Sequence, residues 1–166
     1  MNEISAVVRI VNLTSSVLLA GGFGFALLVA RPAYLAAATD ARADFASFVR
    51  AQLRVAPWCL IAILASALLG LWFQVLYVSD PAIGTPTGLG AAFSLLIETQ
   101  FGRVWLLRMA LLFLLAGFIV QALRPQSDHG ASFFVTGFAL SVLLIATSAL
   151  AGHASAAEGW TLALQV

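Results

Sequence analysis

The sequence predicts an all-α membrane protein: a four-helix antiparallel transmembrane bundle with a short interfacial helix before the third span. Two observations carry that expectation. Of 166 residues, 62% are hydrophobic and only 9% charged, against roughly 25% charged in a soluble domain. Charged residues also divide the chain into four apolar runs, each about 20 residues or slightly longer. At 1.5 Å rise per residue such a run crosses a hydrocarbon core of roughly 30 Å. Lipid offers the backbone no hydrogen bonds, so each run is expected to be helical.

The expected helices cover residues 5–30, 55–78, 103–123 and 131–152, all within one transmembrane domain of residues 1–166. The first apolar run lies between Arg9 and Arg31 and is too long for the core of a signal peptide. Arg31-Pro32 follows it where a small-residue cleavage site would stand, so this helix is expected to be retained. The segment "AYLAAATDARADFASFVRAQLR" has helical spacing of Ala, Arg and aromatics and reads as an extension of the first two helices. The second connection opens with Pro and Gly turn chemistry. Its second half, Ala91 to Thr99, is apolar enough to lie in the interface as a short helix before the third span.

Basic residues set the expected orientation. Arg31, Arg42, Arg50 and Arg54 stand in the first connection and Arg124 in the third, while the second has none before Arg103. Cytoplasmic loops collect Arg and Lys, so the N-terminus, second connection and C-terminus are expected outside, in the periplasm of a Gram-negative cell. Arg9 alone opposes this. Every basic residue is Arg, and a net charge of +1 does not favour nucleic acid. The single cysteine, Cys59, leaves no intrachain disulfide.

Stripes of small residues read as helix-packing faces. Ala62, Ser66, Gly70 and Gln74 recur on the second span; Gly137, Ser141, Ser148 and Gly152 on the fourth; Gly21, Gly22 and Gly24 on the first. Ser66 and Gln74 are the members that would line a polar pathway. Arg108 lies about 7 Å inside the third helix. It either snorkels to the headgroups or takes an intramembrane partner, with Glu98 the nearest acidic candidate. Arg103, at the lip, reads as a headgroup anchor.

On this orientation the outer face gathers Met1, Glu3, Glu98, Arg103, Arg108, Met109 and His153. Imidazole and thioether suit copper, and thioether selects Cu(I) in particular. His153 ends an apolar helix, where a histidine also interacts favourably with the helix dipole, so it reads either as an interfacial ring or as a ligand. Met109 alone reads as core, and Cys59 as a small buried hydrophobe. The candidate metal ligands are therefore His153, Met109 and Glu98, with no catalytic residue. No HExxH, GxSxG or P-loop occurs, and no pair of intramembrane histidines for haem, so an enzyme is not expected.

Thr99, Phe101, Gly102, Trp105 and Arg108 in "ETQFGRVWLLRMA", and Gly152-His153-Ala154 in "LLIATSALAGHASA", together resemble the N-terminal half of the copper resistance protein D family. The resemblance spans all four helices and is strongest from Glu98 to Ala154. It implies an inner-membrane protein that takes up copper from the periplasm or confers copper resistance, with His153 as copper ligand and a soluble CopC-like carrier as partner. Members of that family continue for about as many helices again, so the chain reads as a short member, a fragment, or one subunit whose second half is another membrane partner. A homo-oligomer would serve the same end. The rival reading is a non-metal membrane scaffold or assembly subunit whose small-residue stripes bind partner helices.

Overall fold

The computed structural model describes residues 2–36, 41–78, 89–124 and 130–163, with side chains on the last helix to residue 150. The elements are α1 (Asn2–Phe25), a π-helical turn (Ala26–Ala30), α2 (Arg31–Ala36), α3 (Ala41–Val78), α4 (Leu89–Glu98), α5 (Gln100–Ala122) and α6 (Ala131–Ala163). The described residues contain helices and no strand. Four stretches are long and apolar enough to cross a membrane: Glu3–Ala36, Asp44–Leu76, Gln100–Ala122 and Ala131–Leu150. The chain is a multi-pass membrane protein.

The helical extension expected after the first span is present, since α3 starts at Ala41. The short helix before the third span is α4, which begins at Leu89 and ends one residue before Thr99. The helix of the fourth span runs further than expected, to Ala163. The Pro- and Gly-rich residues 79–88 lie outside the described residues.

Two prolines shape the long helices. Pro32 follows the π-helical turn, where the Arg31 N–H reaches back five residues to the Ala26 carbonyl. A proline ring clashes with the carbonyl four residues earlier, and a wider turn just before it relieves the crowding without ending the helix. Pro57 sits inside α3, which continues through it.

α1 packs against α3 and α6, and α5 packs against α6 and α3, so α1 and α5 face each other across the bundle diagonal. Neighbours run antiparallel. Asn12 meets Ser66 while Gly22 meets Gln52, and Gly137 and Phe138 meet Phe23 and Gly24. The N-terminus of α1, the ends of α3 and α6 and the start of α5 therefore share one end of the molecule.

The small-residue faces do close-packing work where α1 meets α6. A Cβ on Gly137 would stand 2.6 Å from the Phe23 ring, and one on Gly24 would stand 3.0 Å from Phe138. Gly21, by contrast, has no neighbour within 4 Å and is exposed. Each interior face is a row of buried residues at helical spacing; on α5 it comprises Gly102, Arg108, Met109, Leu112, Leu115, Ile119 and Ala122. Outward residues such as Trp58, Trp72, Phe113 and Val120 are exposed and apolar, as lipid-facing positions require.

One end of the bundle is filled by aromatic rings from all four long helices. Phe118 stacks on Phe133 at 4.8 Å between ring centres. Phe23 approaches both, at 6.3 and 6.0 Å, and Phe45 of α3 lies 5.8 Å from Phe134. These rings sit near the end of α5 and the start of α6, on the side carrying the arginine-rich first connection.

Candidate functional site

Above the aromatic layer the interior turns polar. Asn12, Ser15, Ser16, Ser66, Arg108, Ser141 and Thr147 are all buried. Ser16, Ser141 and Thr147 return their hydroxyls to carbonyls of their own helices, at 2.8, 2.7 and 2.7 Å. Such back-bonding satisfies a hydroxyl in lipid without a partner helix. Asn12, Ser66 and Arg108 behave differently, because their bonds join three helices.

The start of α5 shows how Arg108 reaches the centre. Thr99 is the N-cap, and its hydroxyl accepts from the Gly102 N–H at 3.0 Å, satisfying one orphan donor of the first turn. Gly102, Trp105 and Arg108 then follow at three-residue intervals on the inward side. Trp105 donates its indole N–H to the Ala67 carbonyl of α3 at 3.1 Å. Arg108, only 8% exposed, donates to the Asn12 Oδ1 across the bundle diagonal. The Asn12 amide in turn donates to Ser66 Oγ at 2.7 Å, and Ser66 donates to the Ile63 carbonyl at 2.9 Å. The residues of the "ETQFGRVWLLRMA" segment thus cap α5, seat it on α3 and carry a guanidinium to the bundle centre.

Of the two sequence alternatives for Arg108 the structure shows the second: it does not snorkel but takes an intramembrane partner, which is not Glu98 but Asn12, an amide in the first span that sequence reasoning passed over. A charged group at mid-membrane costs about 2.5–3.5 kcal/mol, and an amide offsets only part of that. The signal for Asn12 was in "RIVNLTSS": an amide within a lipid-crossing run needs an interhelical partner. Of the two polar-pathway candidates, Ser66 is buried and joined to Asn12, while Gln74 is only half-buried. Cys59 is buried in the apolar core, as a small hydrophobe would be.

The expected ligands occupy different levels. Helical rise of 1.5 Å per residue sets Gln100, and Glu98 just beyond it, about 27 Å or more along α5 from Phe118. The same rise sets the backbone of His153 about 30 Å along α6 from Phe133. Glu98 and His153 therefore belong to the same end of the bundle. Met109 is only about 14 Å from Phe118, so it lies roughly 16 Å, about three turns, deeper than the backbone of His153 and not at the outer face where the sequence reading gathered both. Met109 is buried in the core and Glu98 is exposed. The His153 ring lies outside the described residues, and among the described residues no three His, Cys, Asp or Glu side chains gather.

Four long apolar helices with an arginine at their centre, tied by a capped helix to its neighbours, define a multi-pass helical membrane protein. The chain belongs to the family described as copper resistance protein D-like, N-terminal domain, which it matches over residues 1–163. That family is one of copper resistance and transport and not a family of enzymes. No curated protein and no solved structure matches the chain.

Proposed function

We propose that this domain receives copper at its periplasmic face and passes it inward across the inner membrane, with copper as cargo. Family membership carries the reading. The levels of the candidate ligands support an ordered hand-over instead of a single coordination sphere. Glu98 and His153 at the outer end take the ion first, and the Met109 thioether, deeper in α5, takes it next. A thioether selects Cu(I), imidazole suits copper, and a carboxylate is a harder ligand that goes with Cu(II). The N- and C-termini face the periplasm, where a soluble CopC-like carrier docks beside the connection leading into α4. A membrane partner supplying further helices, or a second copy of this chain, completes the inward path.

The test is copper accumulation in cells and copper stoichiometry in the purified protein. His153→Ala is expected to lower both at unchanged membrane abundance. Met109→Leu, which keeps volume and apolarity, is expected to lower accumulation while leaving the outer-end binding in place. Unchanged copper stoichiometry in His153→Ala protein removes His153 from the path.

A further inference from the structure

Two arginines of α3 stand on its lipid-facing side. Arg50 and Arg54 are exposed, while Val49, Leu53 and Ala56 of the same helix are buried. Residues four apart on a helix lie about 6 Å from each other on one face, so the two arginines are neighbours. Trp58 continues the same row one turn deeper and is 73% exposed. Among the described residues neither guanidinium has a hydrogen-bond or ion-pair partner.

Contacts across the bundle fix the level of this row. Gln52, midway between the arginines, meets Gly22 of α1, and Phe48 meets Phe25 at 5.7 Å between ring centres. Phe23 in turn packs against Phe118 of α5. Phe118 stands four residues, about 6 Å, before Ala122, where that apolar span ends. Arg50 and Arg54 therefore leave the backbone at the level of the aromatic layer, about 6 Å inside the apolar thickness. Helical side chains lean toward the N-terminus of their helix, and α3 begins at this end. Both arginines thus extend along their apolar stems toward the nearer membrane surface, where the phosphates of one leaflet lie.

We propose that Arg50 and Arg54 together hold the phosphate of one anionic phospholipid, with the Trp58 indole against its acyl chains. Charge selects the occupant: two guanidiniums complement a headgroup of net negative charge, whereas a zwitterionic headgroup brings a cation of its own. The forked donors of arginine match phosphate oxygens. The apolar body of the indole below them matches a lipid chain and has nothing to offer a soluble anion. The site belongs to the bundle end that carries the first connection, and neither copper nor the direction that end faces enters it.

The full chain is reconstituted in phosphatidylcholine bilayers containing a small fraction of either phosphatidylglycerol or phosphatidylcholine brominated on its chains, which quenches tryptophan on contact. The Trp58 signal is the difference between the protein and its Trp58→Phe variant. Brominated phosphatidylglycerol is expected at Trp58 in about 25-fold preference over brominated phosphatidylcholine, about fivefold from each arginine. Arg50→Gln and Arg54→Gln are each expected to lower the preference about fivefold, and the double variant to abolish it. Both positions are exposed, and an unchanged emission spectrum in unbrominated bilayers verifies that the variants fold. Trp72, exposed toward the other end of α3, is the control, and Trp72→Phe is expected to leave the preference intact. Equal quenching of Trp58 by the two lipids overturns the proposal, as does a preference that survives in the double variant. Displacement of the brominated lipid by soluble glycerol phosphate assigns the arginines to a free phosphate and overturns it. Absence of quenching by either lipid means that another protein chain covers the row, and overturns it too.

Discussion

Asn12→Ala removes the residue whose hydrogen bonds link α1 to both α3 and α5. Two hydrogen bonds are lost: the charge-assisted bond from Arg108 and the bond to Ser66. A hydrogen bond to a charged group contributes about 1.5–3 kcal/mol. An interhelical bond between neutral side chains in a membrane averages about 0.6 kcal/mol. The substitution is therefore expected to destabilise the bundle by about 2–3.5 kcal/mol. Ser66→Ala breaks only the weaker of the two, so it is expected to cost about 0.6 kcal/mol, with a coupling to Asn12→Ala of similar size. The assay is reversible unfolding in mixed micelles by denaturing detergent, followed through tryptophan fluorescence, on both single variants and the double variant. An Asn12→Ala protein within about 0.5 kcal/mol of wild type would refute the reasoning, because surface-like substitutions fall within that range.

Further expectations follow from the packing. Gly137→Ala drives a methyl group into the fully buried Phe23 ring and is expected to cost about 1–3 kcal/mol in the same unfolding assay. Gly21→Ala, which meets nothing, is expected to be neutral or mildly stabilising through helix propensity. Thr99→Ala removes the α5 cap and is expected to cost about 1 kcal/mol, with faster amide exchange confined to the first turn of α5. Trp105→Phe keeps the ring but loses the bond to the Ala67 carbonyl, and is expected to cost about 0.5–1.5 kcal/mol. A cysteine placed at position 153 in a Cys59→Ser background is expected to react with an impermeant reagent added outside the cell. Reaction only after the membrane is opened would reverse the assigned orientation and remove the basis of the copper hand-over.

The spans were legible because lipid imposes a simple requirement. A run of about 20 apolar residues has to be helical in hydrocarbon, and no tertiary contact is needed to know it. Charge placement likewise marked the connections, while the Thr99 cap that starts α5 was not read from the sequence. The family resemblance was legible in the same residues, "ETQFGRVWLLRMA", that the structure shows capping and seating that helix.

What chain order alone could not supply is which side chains meet. Glu98 is the acid nearest Arg108 in sequence, yet it closes α4 and stands exposed beyond the start of the helix that carries Arg108. Asn12, 96 positions distant, is the residue in contact. The diagonal placement of α1 and α5 decides this, and that placement arises from four helices packing around one axis. The depth of Met109 follows the same rule, since levels in an antiparallel bundle are set by which residues pair at the far end, here Phe118 with Phe133. Hydropathy is a property of each residue and is written in the sequence. Partnership across a bundle is a property of helix register, and it exists only once the helices are assembled.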